Sequence, residues 1–305
     1  MRALVFPGQG SQKKGMASEL EANFKIVKEI FAIANDTLKI NLSKIILEGP
    51  EEELKKTEIT QPAILTTSYA IFSVLKKEFN FNSKNVKYFA GHSLGEYSAL
   101  LSSNSIKFED ALKLVHNRGK LMQEAVPLGK GLMLAVMGVD KDELKSDITK
   151  IKTGVCEIAN DNSPGQIILS GNKESITEIY DLLKSNKKKT IILPVSAPFH
   201  CSLMTKAAEQ MKILLNNINF NEPEIALVSN VTAEKISNKD EISNLLFKQI
   251  FSQVRWRESV EFMTNNAVNE FIEIGPGKVL SGLIKRTNDK VMTKSINNLE
   301  DIKNL

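Results

Sequence analysis

The sequence predicts an α/β fold: a large domain with a mainly parallel sheet, of α/β-hydrolase-like character, into which a smaller ferredoxin-like domain is inserted. Three observations predict it. A chain of 305 residues is at the size where one core stops growing and a second unit forms. Up to about residue 125, short apolar strands alternate with long helical stretches, the rhythm of a parallel sheet covered by helices. Between about 126 and 197 the rhythm becomes β-α-β-β-α-β, and afterwards the first one resumes. The expected division is therefore 1–125 with 198–305 as the large domain and 126–197 as the insert.

Element by element, Leu4-Val5-Phe6 is a short apolar run that enters a loop at Pro7. Helical patterns are expected over about 16–35 and 62–79. The apolar run 86–90 reads as a strand, and the helix-forming run 96–101 follows it after a sharp turn. A further helix is expected over 108–125. In the insert, strands are expected at 132–139, 155–159, 166–170 and 190–195, with helices at 140–150 and 173–185. Beyond it, strands at 225–229 and 271–274 bracket a largely helical stretch, 245–262. The cleft between the two domains is the default binding site.

Composition narrows the class. With 42% hydrophobic and 25% charged residues, the chain is an ordinary globular protein. Its first residues read as a strand and not as a signal peptide, and no apolar run approaches the roughly 18 residues of a membrane span. A cytoplasmic protein without membrane contact is expected. The two cysteines, Cys156 and Cys201, have neither zinc-ligand nor C-x-x-C spacing. A formal charge of +4 with 6% aromatics argues against a nucleic-acid binder, whose basic face is usually stronger. The densest basic run, Lys187-Lys188-Lys189, reads as solvated surface.

The chemistry concentrates at Gly91-His92-Ser93-Leu94-Gly95-Glu96, a G-x-S-x-G motif between the strand and the helix. Glycines two residues either side of a serine allow a turn tight enough to lift its hydroxyl above the sheet, with the helix N-terminus behind it. Acyl transfer through a serine ester follows from that context. A Gly-Ser turn without a catalytic role is the alternative. Of the three histidines, His116 is expected on the solvent face of its helix, and His92, adjacent to Ser93, should project away from it. His200 remains. It follows a proline-stiffened loop at the domain junction, and its imidazole could take the Ser93 proton.

Arg118 is anomalous. The wheel of 108–125 places Ala111, Leu114, Val115, Leu121, Met122 and Ala125 on one face with Arg118 in their midst. A guanidinium keeps its proton, so the position requires an anion or a wet cleft. A protein carboxylate, a snorkelling side chain and a substrate carboxylate all satisfy that requirement, and the nearby serine motif favours the last.

These residues resemble the malonyl-CoA:acyl carrier protein transacylases of fatty acid synthesis. The resemblance covers essentially the whole chain: Phe6 to Gln12, GHSLGE at 91–96, Arg118-Gly119 with Met122-Gln123, Ala159 to Gln166, Ser196 to Cys201 with Leu203-Met204, and Glu273 to Gly277. It implies Ser93 as nucleophile, His200 as base, and the backbone N–H groups of Gln9 and Leu94 as oxyanion hole. Arg118 would hold the malonyl carboxylate, and the backbone carbonyl of Gln249 would orient His200. Phe199, Met122 and Asn160 would line the acyl pocket. Malonyl-CoA and acyl carrier protein are the implied partners of a protein expected to act as a monomer. No redox cofactor, nucleotide or metal is called for. Gly8-Gln9-Gly10 lacks the third glycine of a dinucleotide fingerprint, since Lys13 stands there, and Gly275-Pro276-Gly277-Lys278 lacks P-loop spacing. Two rivals share features of the pattern. A serine esterase would normally supply a triad acid between Ser and His and would leave Arg118 without a task. A non-catalytic carrier-docking module would keep the fold alone.

Overall fold

A computed structural model describes residues 1–236 and 238–305. Among them lie nine strands: β1 (Arg2–Phe6), β2 (Val86–Gly91), β3 (Gly131–Met137), β4 (Cys156–Ser163), β5 (Gln166–Asn172), β6 (Lys189–Ile192), β7 (Ala226–Val228), β8 (Glu270–Ile274) and β9 (Met292–Ile296). They form two sheets. The first, ordered β7-β2-β1-β8-β9, is parallel throughout. The second, ordered β4-β5-β3-β6, is antiparallel throughout and uses only strands between residues 131 and 192. Chain order within it is β-α-β-β-α-β, as the sequence rhythm suggests, with the helices Lys141–Ile148 and Lys173–Ser185 as its α members. Asp140 starts the first of these by accepting from the Asp142 N–H at 2.8 Å, a side-chain N-cap.

The inner strands of the parallel sheet, β1, β2 and β8, are buried on both faces, as sheets covered by helices require. Phe6, Phe72 and Phe89 meet edge to face on one side, with ring centroids 5.8 to 6.4 Å apart. Ala3, Val5, Tyr88 and Phe271 point to the other face, into a second cluster with Trp256 and Leu280.

Several elements differ from the sequence expectation. The helix over 16–35 is two helices, Ser18–Asn23 and Lys25–Leu38, divided at an extended Phe24. The helix expected to begin at Pro62 begins at Thr57 and runs to Glu78, with Pro62 inside it. A proline has no N–H to give to the carbonyl four residues back. That carbonyl, of Glu58, accepts instead from His116 Nδ1 at 2.9 Å. His116 is consequently half-buried between two helices and does not stand free in solvent as its wheel position suggests. The stretch 245–262 is likewise two helices, Ile242–Gln249 and Trp256–Asn265. β6 ends at Ile192, three residues before the expected limit.

The carboxyl ends of β1, β2 and β7 converge. Gln9, Ser93 and Asn230 lie just beyond them, where open parallel sheets take their ligands. The antiparallel sheet closes over that edge. Its strand β4 is tied to the loop before Trp256, with Val254 N–H donating to Ala159 O at 2.8 Å and Asp161 N–H to Val254 O at 3.0 Å.

Candidate active site

The turn after β2 is set by contact distances. A Cβ added at Gly91 would stand 1.9 Å from the Gly95 carbonyl carbon, and one added at Gly95 would stand 2.1 Å from Phe6 O. No side chain fits at either position. Between them Ser93 takes a left-handed φ of 55°, rare for a residue with a Cβ, and its hydroxyl faces the cavity. Its own N–H is held by Asn230 Oδ1 at 2.8 Å, while Asn230 Nδ2 donates to Gly91 O at 2.7 Å.

Ser93 Oγ lies 2.7 Å from His200 Nε2. The other ring nitrogen, Nδ1, lies 2.9 Å from the backbone carbonyl of Gln249. A carbonyl only accepts, so Nδ1 carries the proton and Nε2 is left as acceptor for the serine hydroxyl. His200 is buried, also at a left-handed φ of 59°. Burial, and then the charge of Arg118, press its pKa down to about 3. The imidazole is therefore neutral across the physiological range.

Arg118 reaches the same hydroxyl from the helix Phe108–Glu124. Gly119 beside it packs so closely that a Cβ would stand 2.6 Å from Thr57 O. The guanidinium is 1% exposed, yet all its hydrogen bonds among the described residues go to neutral groups. Nη1 donates to Gln61 Oε1 at 2.9 Å, and Nη2 donates to Ser93 Oγ at 3.0 Å and to Gln249 Oε1 at 2.9 Å. No acid forms a direct ion pair with it among the described residues; the buried Glu96 acts on it only from the far side of the Gln249 amide. The ring of Tyr97 lies 5.7 Å away.

Gln9, Leu94, Phe199, Met122 and Asn160 line the same cavity, of about 550 Å³, with Ser93, His200 and Arg118. Gln9 N–H and Leu94 N–H donate no hydrogen bond within the protein among the described residues, whereas the N–H groups of Gly95 and Glu96 turn back to His92 O and Ser93 O. His92 projects away from Ser93 as expected, its Nε2 2.8 Å from Asn162 Oδ1. The residues expected at the site, Ser93, His200, Arg118, Gln9, Leu94, Phe199, Met122 and Asn160, are therefore brought together around one cavity, with the Gln249 carbonyl on His200. Four others at the site were not foreseen: Gln61, Glu96, Asn230 and the side chain of Gln249. A glutamine directly before the proline of a largely buried helix, and an asparagine just past a strand end, are the only signals the sequence offers for two of them. Glu96 is 1% exposed, and burial raises its pKa to about 7.

A hydroxyl that donates to an unprotonated imidazole and accepts from a guanidinium can attack an acyl carbon and pass its proton on. No group of three or more His, Cys, Asp or Glu that could hold a metal occurs among the described residues. No helix among them is long and apolar enough to cross a membrane.

Residues 3–303 match the model of the acyl transferase domain family. The chain is 44% identical over 299 residues to the malonyl CoA-acyl carrier protein transacylase of Haemophilus influenzae, covering 97% of this chain and 95% of that protein. It is 41% identical over 303 residues to the transacylase of the same name from Bacillus subtilis, covering 98% and 94%. Among solved structures, it is similar to an acyl carrier protein S-malonyltransferase from Vibrio cholerae, with a TM-score of 0.96, 38% identity and 99% of both chains covered. It is also similar to a malonyl-transacylase solved in complex with a type II PKS acyl-carrier protein, with a TM-score of 0.95, 40% identity, and 99% and 97% of the two chains covered.

Proposed function

The chain belongs to the acyl transferase family, and from that premise we propose that it moves the malonyl group of malonyl-CoA to the phosphopantetheine thiol of acyl carrier protein in fatty acid biosynthesis. The observation that carries the reading is the Ser93 hydroxyl held between His200 Nε2 at 2.7 Å and Arg118 Nη2 at 3.0 Å. As Ser93 Oγ bonds to the thioester carbon, His200 Nε2 takes the proton. The charge on the carbonyl oxygen meets the unused N–H groups of Gln9 and Leu94, with the helix Gly95–Ser102 behind the second. The carbon–sulfur bond then breaks, His200 returns the proton to the departing CoA thiol, and a malonyl ester remains on Ser93. The carrier's thiol attacks that ester by the reverse path, losing its proton to His200 and freeing the serine.

Arg118 selects the substrate. Its guanidinium has no ion-pair partner and keeps unused donors, so a malonyl carboxylate entering the cavity supplies the missing anion. Phe199, Met122 and Asn160 bound the space around the acyl chain. We take 126–197 as an inserted ferredoxin-like domain that roofs the hydrolase-like sheet of 1–125 and 198–305, and the protein as a cytoplasmic monomer. Incubation with labelled malonyl-CoA and holo acyl carrier protein tests the reading. Label is expected on the carrier thiol; label released only as free malonate would make the protein a hydrolase instead.

A further inference from the structure

Among the described residues, Glu96 is the acid buried behind the reacting groups. It does not line the cavity, so it has no access to substrate. Its Oε2 accepts from Gln249 Nε2 at 2.7 Å and from Asn230 N–H at 3.2 Å. Each of those residues holds two parts of the site. Asn230 binds the Ser93 N–H and the Gly91 carbonyl, fixing the turn. Gln249 accepts from Arg118 Nη2 through Oε1 and from His200 Nδ1 through its backbone carbonyl.

A primary amide is two-sided, one end donating and the other accepting, and the wrong orientation would set an NH₂ against the guanidinium. Gln249 is held in the right one because its Nε2 finds acceptors on the opposite side, Glu96 Oε2 and Ser93 O at 3.0 Å. Gln249 is fully buried, so no solvent contact could set the amide instead. We propose that Glu96 is a positioning residue: its carboxyl oxygen orients the Gln249 amide so that Arg118 and His200 are both placed for reaction at Ser93. The inference rests on the transfer reaction proposed above. It adds a requirement for an acceptor at position 96, and the raised pKa of this buried acid is compatible with either protonation state of the second oxygen, which has no partner among the described residues.

Glu96→Gln and Glu96→Leu separate the acceptor from bulk. Since one amide oxygen can accept both hydrogen bonds, the Gln variant is expected within about threefold of wild type in kcat/KM and in its preference for malonyl-CoA over acetyl-CoA. The Leu variant, folded by melting temperature, is expected to lose roughly tenfold or more of that preference as Arg118 loses its setting. Adding Glu96→Leu to Gln249→Ala should cost little beyond Gln249→Ala alone, because both remove one pathway. An unchanged preference in the folded Leu variant, or additive losses in the pair, would overturn the proposal. Should the Leu variant not fold, Glu96→Asp, which draws the oxygens back by one methylene, is expected to show the same loss, and wild-type preference in it would count equally against the idea. One readout needs no substrate: the ¹⁵N NMR signal of the His200 Nδ1 proton, expected in wild type and in Glu96→Gln and shifted or lost in Glu96→Leu. An identical signal in all three overturns the positioning role even for a wild type that rejects malonyl-CoA, the result that sinks only the reaction.

Discussion

Arg118 sits among apolar side chains with its charge turned toward the cavity and with Gln61, Gln249 and Ser93 as its only hydrogen-bond partners among the described residues. A buried guanidinium with no acid in direct contact, and only the buried Glu96 acting on it from behind Gln249, carries an electrostatic cost that an arriving anion relieves. Arg118→Ala should therefore leave a bound malonyl carboxylate desolvated and alone, a loss of about 2–5 kcal/mol, or roughly 30- to several-thousandfold in kcat/KM. Acetyl-CoA carries no such group, and its use should change far less. Comparing both acyl-CoAs on a folded variant decides the point; a parallel fall in the two would mean that Arg118 supports the structure without selecting substrate. This residue was legible in the sequence because helical periodicity alone exposes a charge on an apolar face. Gln61, Asn230 and Glu96 were not, since their partners lie 57, 137 and 153 residues away and polar side chains carry no periodic signature.

The strand-turn-helix element around Ser93 was legible for a different reason: its constraint is local backbone geometry, written in two glycines at fixed spacing. The approach of 2.1 Å between a Cβ at position 95 and Phe6 O ties that turn to the neighbouring strand end. Gly95→Ala must displace β1 or the turn, and Gln9 lies three residues beyond Phe6 on the same loop. The variant is expected to lose acylation by more than tenfold and to melt at a lower temperature, by the few kcal/mol typical of overpacking. Full activity in a soluble Gly95→Ala protein would contradict the close packing of these elements. Elements without such local signals escaped the sequence. β9 is a half-exposed edge strand with only one fully buried position, and the long helix begins ahead of its proline because His116 satisfies the carbonyl that the ring leaves free.

At the scale of the whole molecule, the antiparallel sheet is fastened to the parallel one by charge as well as by backbone bonds. Asp161 on β4 accepts Arg257 Nε and Nη2 at 3.0 and 2.9 Å, and Lys141 reaches both Asp161 and Glu258 at 2.9 and 3.0 Å. Glu258 also pairs with Arg255, and these cations pull its pKa down to about 2. A carboxyl whose folded pKa lies below its unfolded value binds fewer protons when folded, so its contribution is present above about pH 4.5 and is lost as pH falls toward 2. Melting temperature should accordingly drop across that window in wild type and less steeply in Glu258→Gln, which should melt lower than wild type at neutral pH. Equal slopes would remove Glu258 from the account of how the two sheets are held. Asn160 and Asn162, on either side of Asp161 along β4, line the cavity beside Ser93, and the reaction there can be followed by mass spectrometry of the protein after brief exposure to malonyl-CoA without carrier. One malonyl group is expected on the peptide containing Ser93, absent in Ser93→Ala and removed when holo carrier protein is added. A malonyl group that persists in the Ser93→Ala protein, or one that the carrier cannot remove, would contradict transfer through Ser93.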